Sequence, residues 1–200
     1  TTQLAVELVI PGVVTGTVLG EDGQPVPDIW IGAVGADDYE TVSVDPETGA
    51  YVLHASPGPF RMSFHADGFA SEYYDDVDTL DDAQVLTATA GQTLAGVDAV
   101  LSAGGTISGV VTASDGTPAA DVSVHAYASA GAAFDGFTTT AADGSYEITG
   151  LAPLTYTVSV ESRSDTQLWL PATYPASVPL GSTPDATGID FVMDLGGRIE

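Results

Sequence analysis

An apolar segment interrupted by glycine occurs three times in this chain of 200 residues. It reads QLAVELVIPGVVTGTV at 3–18, GVDAVLSAGGTISGVV at 96–111 and GIDFVMDLGGRI at 188–199. Between these copies, Gly16 matches Gly109 at an offset of 93 residues, and Tyr51 matches Tyr146 at an offset of 95. Self-similarity at a nearly fixed period indicates one structural unit that is used twice.

The repeat predicts how the chain is divided. We expect an extra N-terminal strand over 1–11, a first unit over 12–103 and a second unit over 104–200, which meet at Gly104-Gly105. A unit of about 90 residues can bury one hydrophobic core without a cross-link.

Apolar residues alternate with polar ones in ten segments, and this period of two is typical of half-buried strands. The segments are 13–19, 28–34, 50–55, 60–66 and 84–90 in the first unit, and 109–114, 121–128, 136–141, 145–149 and 154–161 in the second. No 11-residue window has a helical period. Asp-Gly pairs at 22–23, 115–116 and 143–144 predict hairpin tips in which glycine has a positive φ. The predicted fold class is all-β, as two tandem seven-stranded antiparallel β-sandwiches of the immunoglobulin-like or prealbumin-like kind.

The same alternation predicts which face of the closing strands is buried. The inward residues are Val97, Ala99 and Leu101 in the first unit, and Ile189, Phe191, Met193 and Leu195 in the second. Asp98, Asp190 and Asp194 point outward, so a slip of one residue would bury aspartates.

The charge balance excludes several classes of partner. The chain has 28 Asp and Glu residues against three arginines and no lysine, for a net charge of −25. Phosphate backbones and anionic membranes repel such a surface, so we expect no nucleic-acid binding. No apolar run approaches the roughly 18 residues of a membrane span, so we also expect no membrane insertion. With no cysteine, disulfides and thiolate-ligated metals are excluded.

Two pairs of segments carry a family resemblance. GTVLGEDGQPVPDIWIGAV at 16–34 with ETGAYVLHASPGPFRMSF at 47–64, and SGVVTASDGTPAADVSVHAYA at 108–128 with ADGSYEITGLAPLTYTVSV at 142–160, resemble carboxypeptidase regulatory-like repeats. These repeats have the transthyretin-like (prealbumin-like) sandwich and are related to the B-type repeats of collagen adhesins. The resemblance implies a stalk, spacer or adhesion module of an extracellular bacterial surface protein. Unlike many collagen-adhesin relatives, this chain has no lysine, so a lysine-linked isopeptide cross-link cannot form.

The candidate sites for chemistry are few. His54 and His65 flank a turn and could pair as metal ligands, whereas strand histidines such as these and His125 more often lie at the surface or half-buried. Trp30, Trp169 and the loop tyrosines could form a platform for sugars, or they could pack in the core and loops.

The acidic loop SEYYDDVDTLDDAQ, at 71–84, is the best candidate for an ion site. Its carboxylates are Glu72, Asp75, Asp76, Asp78, Asp81 and Asp82, and such oxygen-rich loops can hold Ca²⁺. The spacing is not that of an EF-hand. The alternative is a solvated loop anchored by Tyr73 or Tyr74. Accordingly, no cofactor is expected beyond this calcium hypothesis over 72–82.

The predicted function is a non-catalytic structural module, with no catalytic, cofactor-binding or metal residues assigned. It would act as a stalk, spacer or fibre subunit outside the cell or attached to its surface. Two alternatives are a ligand-binding adhesin for glycans or host protein, and accessory domains of a secreted enzyme. Expected partners are the cell envelope and neighbouring copies or repeats. Residues 3–10 match a closing strand with no unit of their own, which predicts assembly by strand addition.

Overall fold

The computed structural model describes residues 10–35, 42–129, 132, 135–162, 169–181 and 184–194. Within these ranges every regular element is a β-strand, and there are eighteen. The all-β prediction is confirmed. The described residues contain no helix of the length and apolarity that a membrane crossing requires. Residues 1–9 of the predicted N-terminal strand over 1–11 lie outside the described residues, and so does the segment proposed for strand addition up to residue 9.

The first unit has two sheets. Its strands are β1 (Gly12–Gly20), β2 (Trp30–Val34), β3 (Ser43–Val44), β4 (Ala50–Ala55), β5 (Gly58–His65), β6 (Glu72–Tyr73), β7 (Leu86–Ala88), β8 (Thr93–Ala95) and β9 (Ala99–Leu101). One sheet has the order β3-β4-β1-β8, with β9 also on β1, and the other has the order β2-β5-β6, with β7 also on β5.

The second unit repeats this plan. Its strands are β10 (Gly105–Ala113), β11 (Val122–Ala128), β12 (Gly136–Thr139), β13 (Ser145–Leu151), β14 (Thr155–Ser162), β15 (Ala172–Thr173), β16 (Val178–Pro179), β17 (Asp185–Ala186) and β18 (Phe191–Met193). One sheet has the order β13-β10-β17, with β18 on β10, and the other has the order β12-β11-β14-β15, with β16 on β14.

The prediction of seven antiparallel strands per unit requires correction. Each unit has nine described strands. The closing edge strand is interrupted where it passes a glycine of the first strand, and two short strands instead of one pair with β5 and likewise with β14. β8 pairs with Val13–Thr15 and β9 pairs with Val18–Gly20, on either side of Gly16. Both pairings are parallel, and so are those of β17 and β18 with β10. Side-chain alternation carries no information on strand direction, so the sequence could not indicate this.

The buried apolar residues form two cores, one within residues 14–101 and one within residues 107–193. Val97, Ala99 and Leu101 are buried, as are Ile189, Phe191 and Met193, and the intervening aspartates are exposed. The predicted inward faces are therefore confirmed, while Leu195 lies outside the described residues.

The Asp-Gly turns have the predicted backbone, and antiparallel bridges close two of them, from Leu19 to Pro25 and from Thr112 to Pro118. Gly23, Gly116 and Gly144 all have positive φ, of 75°, 85° and 78°. The turn at Gly23 is closed by the Gly20 N–H, which donates to the Gln24 carbonyl at 2.8 Å. However, the turn connects β1 to β2, and these strands belong to opposite sheets. These turns therefore carry the chain across the sandwich.

The two units differ at one strand. In the first unit β3 pairs with β4, whereas its counterpart β12 pairs with β11 in the opposite sheet. The buried Thr140 follows β12, and its hydroxyl donates to the Ala119 carbonyl at 2.7 Å and accepts the Val122 N–H at 3.0 Å. The equivalent Asp45 instead accepts the N–H groups of Glu47 and Thr48 and closes a hairpin. Thr140 therefore holds β12 against the start of β11.

Candidate functional site

The first and last strands of each unit lie side by side and point the same way. In the first unit Val13 is opposite Thr93, and Gly20 is opposite Leu101. Because the pairing is parallel, the chain enters β1 and leaves β9 at opposite ends of the sheet. At about 3.3 Å per residue, the eight steps of β1 separate these points by about 26 Å. A pull along the chain therefore loads the β1–β8 and β1–β9 hydrogen bonds in shear.

A tyrosine fastens the interrupted edge strand. The Tyr51 hydroxyl donates to the Val97 carbonyl at 2.6 Å, and the Tyr146 hydroxyl donates to the Ile189 carbonyl at the same distance. Burial is the main cause that raises the pKa of both phenols, and the carboxylates of Asp98 and Asp190 add to it. Both hydroxyls therefore keep their proton and remain donors.

An aspartate replaces the hydrogen bonds that the interrupted strand lacks. Asp98 Oδ1 accepts the backbone N–H of Thr17 at 2.8 Å and its hydroxyl at 2.9 Å. In the second unit Asp190 Oδ1 accepts the N–H of Val110 at 2.9 Å. The outward position predicted for these aspartates is confirmed, and the structure adds that they pair with the first strand. We call Gly16, Tyr51, Val97 and Asp98, with their counterparts Gly109, Tyr146, Ile189 and Asp190, the terminal clasp.

The joint between the units is held by backbone contacts. The Gly104 N–H donates to the Gly68 carbonyl, and the Ala70 N–H donates to the Ser102 carbonyl, each at 2.9 Å. A Cβ on Gly104 would lie 2.4 Å from the Cα of Gly150, in the second unit. We call residues 66–70, residues 102–104 and Gly150 the joint. Its close packing leaves Gly104 no room for a side chain.

The acidic loop lies against the second unit. The Tyr73 hydroxyl donates to the carbonyl of Ala132 at 3.3 Å, and Thr79 forms a β-bridge to the same residue. Tyr73 therefore anchors the loop, as one of the two sequence-based alternatives predicts. Within the described part of the chain, no three His, Asp or Glu side chains come together in a way that could hold a metal ion. Calcium binding at 72–82 remains a prediction.

Glu72 is the unusual member of this loop. The residue is 9% exposed, and its Oε1 is buried without a hydrogen-bond partner. Burial raises the pKa of its carboxyl to about 8, and the carboxylates of Asp76, Asp78 and Asp75 contribute further. Glu72 is therefore largely protonated and uncharged at neutral pH, whereas a glutamate on a solvated loop would be ionised.

His54 and His65, which the sequence left open as a possible pair of metal ligands, do not lie together. His54 lies one residue from the end of β4, whereas His65 is the last residue of β5. The seven steps of β5 therefore separate the turn from His65 by about 23 Å. His65 Nδ1 lies 2.6 Å from the hydroxyl of Ser71, and burial lowers the pKa of its imidazole.

The sugar platform, the less favoured interpretation of these residues, is not formed by Trp30 and Trp169. Trp169 is buried in the core of the second unit, whereas Trp30 is 59% exposed on β2 of the first. Packing in the core and loops was the interpretation that the sequence favoured, and it is confirmed for Trp169. Tyr74 and Tyr174, matched in the two repeats, both pack against the cores.

The sequence did not indicate a row of aromatic rings on the outer face of the second unit. His125 and Phe137 are cross-strand partners, and their ring centroids lie 6.3 Å apart. Tyr127, two residues along β11, stacks on His125 at 5.7 Å. The signal was available, because period-two alternation places His125 and Tyr127 on one face.

Comparison with known families finds one match, and it lies within the second unit. Residues 106–189 match the carboxypeptidase regulatory-like domain. This confirms the predicted resemblance there, and the first unit has the same terminal clasp and, except at β3, the same strand plan. No curated protein matches the chain.

Solved structures of bacterial surface proteins are similar to the chain at low identity. The TIE protein of Bacillus anthracis is 11% identical with a TM-score of 0.37, over 93% of this chain and 34% of that one. The shaft pilin SpaA of Lactobacillus rhamnosus GG is 12% identical with a TM-score of 0.36, over 95% and 100%. The pilus 2b backbone protein of group B streptococcus is 11% identical with a TM-score of 0.37, over 94% and 86%. The chain thus spans about a third of the first of these proteins, and likeness at this level does not define a shared function.

Proposed function

We propose that this chain is a load-bearing spacer of an extracellular bacterial surface protein, in which two rigid sandwiches transmit tension along the chain. The parallel terminal strands of each unit carry this proposal. Tension on such a pair stretches every bond of the ladder at once, whereas tension at one end of a pair breaks the bonds one after another.

The terminal clasp supports the same role. Where the edge strand is interrupted, the Tyr51 hydroxyl and the Asp98 carboxylate still tie it to the rest of the sheet. The clasp recurs in the second unit with the same two residue types. A spacer needs both units to resist force equally, because the weaker one would yield first.

The joint supports rigidity between the units. A flexible linker would carry solvated backbone, but the Gly104 N–H donates to the Gly68 carbonyl and Gly150 packs against Gly104. The extended spacer would hold a functional domain away from the cell surface or along a fibre. In this role the chain itself has no catalytic activity, and its neighbours are the cell envelope and further repeats.

Single-molecule pulling in two directions tests the proposal. The chain has no cysteine, so handles can be attached at introduced cysteines alone. Ile10→Cys with Ala103→Cys loads the first unit in shear, because these residues flank the start of β1 and the end of β9. Glu21→Cys with Ala103→Cys pulls the same two strands from one shared end and is the matched control.

We expect a much higher unfolding force for the Ile10–Ala103 pair than for the Glu21–Ala103 pair. Equal forces in the two directions would show that the terminal strands do not bear the load. That outcome would leave the adhesin and enzyme-accessory alternatives as the better hypotheses.

A further inference from the structure

Three aromatic rings stand in a row on the outer face of the β12-β11-β14 sheet. Phe137 is 65% exposed and Tyr127 is 47% exposed, and both stack on His125, which lies between them in the ladder. The rings of Tyr127 and His125 are nearly parallel, with an interplanar angle of 5°. Exposed aromatic clusters of this kind on a soluble protein mark interaction sites.

Carboxylates border the rings. Glu161 Oε1 lies 3.2 Å from His125 Nε2, and its side chain is 61% exposed. On the other side Phe137 lines a cleft of about 450 Å³ between the two units. The same cleft is lined by Glu147 from the second unit and Asp67 from the first. Carboxylates thus flank the row of rings on two sides, and we call the surface formed by Tyr127, His125, Phe137 and these acidic groups the aromatic–acidic face.

This combination has the chemistry of a site for planar cations. The face of an aromatic ring is electron-rich and attracts a cation, and a neighbouring carboxylate adds a charged partner. The planar imidazole of His125 stacks on two rings, and one of its nitrogens lies 3.2 Å from the carboxylate of Glu161. A guanidinium group is also planar and stacks on rings while its N–H groups donate to carboxylates.

The net charge of −25 indicates what kind of partner fits. A second copy of this chain carries the same charge and would be repelled. Of the three arginines, Arg61 alone lies in the described part of the chain, on a strand of the first unit. The net charge therefore favours a different protein, of opposite charge, as the occupant.

We propose that the aromatic–acidic face binds an extended, arginine-bearing segment of a different protein, with guanidinium groups stacked on Tyr127 and Phe137 and paired with Glu147 and Glu161. The proposal adds a docking site to the spacer and does not depend on its mechanical role. Arginine is preferred over lysine, because an ammonium group is compact and strongly hydrated and cannot stack in the same way.

The experiment has to distinguish binding at the aromatic–acidic face from the general attraction between an acidic protein and any polycation. The probe is a synthetic peptide in which arginine alternates with glycine, compared with the same peptide carrying lysine, by calorimetry at physiological salt. The test variant is Tyr127→Ser with Phe137→Ser. One control is Val192→Ser, which removes an apolar side chain that is 67% exposed in the other sheet of the same unit.

A second pair of variants tests the charges. Glu147→Gln with Glu161→Gln removes two charges at the aromatic–acidic face. Glu21→Gln with Glu47→Gln removes two from exposed turns of the first unit. Since all these side chains are exposed or partly exposed, each variant is expected to keep the wild-type melting temperature, which serves as the check on folding.

We expect the arginine peptide to bind more tightly than the lysine peptide, and the loss of both rings to weaken its binding about tenfold. Glu147→Gln with Glu161→Gln should weaken binding more than the remote charge pair. Binding should also shift the ring proton resonances of Tyr127 and Phe137 in the wild-type protein. Equal affinity for both peptides, unchanged binding without the rings, or unmoved ring resonances would each overturn the proposal.

Discussion

The Tyr51 hydroxyl donates a 2.6 Å hydrogen bond to the carbonyl of Val97, at the point where the closing edge of the first unit passes over Gly16. A Cβ on Gly16 would lie closer to that oxygen than any contact allows. The second unit repeats the arrangement with Tyr146, Ile189 and Gly109. The absence of a side chain on glycine allows the edge strand to approach the first strand, and the tyrosine hydroxyl then donates to the carbonyl of the edge strand. The repeated glycine and tyrosine therefore stabilise the same contact.

Replacing Tyr51 with Phe should lower the free energy of unfolding of the first unit by about 1–2 kcal/mol. The ring still fills the core, but the buried carbonyl of Val97 loses its hydroxyl partner. Urea denaturation measures the change, and Tyr146→Phe should give a similar loss in the second unit.

Tyr127→Phe is the matched control for these variants, because Tyr127 is 47% exposed. Removal of its hydroxyl should leave stability within about 0.5 kcal/mol of the wild type. If all three variants behave alike, the hydroxyl bonds of the terminal clasp contribute nothing to stability.

Replacing Gly16 with Ala should destabilise the first unit far more than the loss of a hydrogen bond. The new methyl group would overlap the backbone carbonyl of Val97, which cannot move without breaking the β1–β9 ladder. Gly109→Ala meets the Ile189 carbonyl in the same way. We expect a cost of at least about 3 kcal/mol, or failure of the unit to fold.

Gly181→Ala is the control for this pair, since a Cβ there meets nothing within 4 Å. Its thermal midpoint should match the wild type, as measured by circular dichroism. A small effect of Gly16→Ala, similar to that of Gly181→Ala, would contradict the close approach of the edge strand.

Local patterns predicted what depends on local chemistry. Strand β4 occupies residues 50–55, as the alternation predicts, and Val97, Ala99 and Leu101 are buried on the predicted face. The sequence could not indicate which strands pair when they lie far apart along the chain. The parallel pairing of Gly20 with Leu101 joins residues 81 positions apart, and alternation is the same in either strand direction.

The joint and the aromatic–acidic face could not be predicted from the sequence either, because both depend on which segments lie together in the fold. The Gly68–Gly104 contact uses only backbone atoms, so no side-chain pattern marks it. The stack of Phe137 on His125 depends on the β11–β12 pairing. In the first unit the equivalent strand joins the other sheet, so the repeat itself would have misled a prediction of this pairing.

Glu72 should make stability fall as the pH rises. Its carboxyl has a pKa of about 8 in the folded state, against an ordinary value of 4.5, so the folded state binds the proton more tightly. The stabilisation is therefore fully present below about pH 4.5 and is lost as the pH rises through about 8. Glu72→Gln should remove this part of the pH dependence and stabilise the protein at about pH 8.5.

Urea denaturation between about pH 4.5 and 8.5 should be used to measure the difference in free energy of unfolding between wild type and Glu72→Gln. His65 has a lowered pKa and gives an opposite slope at lower pH, which the difference cancels. A difference that stays constant with pH would show that Glu72 is ionised in the folded state.

Thr140→Val should loosen β12. Valine keeps the shape but has no hydroxyl, so the Ala119 carbonyl and the Val122 N–H would both lose a buried partner. We expect a loss of about 2 kcal/mol, with faster amide exchange along β12 than along β13. Thr140→Ser, which keeps the hydroxyl, should stay nearer the wild type, and equal exchange in both variants would contradict the assigned role of that hydroxyl.

Gly104→Ala should change the angle between the units while leaving each core intact. Its methyl group would lie 2.4 Å from the Cα of Gly150 and 2.9 Å from the carbonyl carbon of Phe69, so one side of the joint must move. Spin labels at Val52→Cys and Val192→Cys report the distance between the units, because both sites are exposed and the chain has no other cysteine. We expect a narrow distance distribution in the otherwise wild-type chain and a shifted or broadened one with Gly104→Ala, whereas Gly181→Ala should leave it unchanged. A broad distribution before any change at Gly104 would mean that the joint is flexible, and a flexible joint cannot serve a rigid spacer.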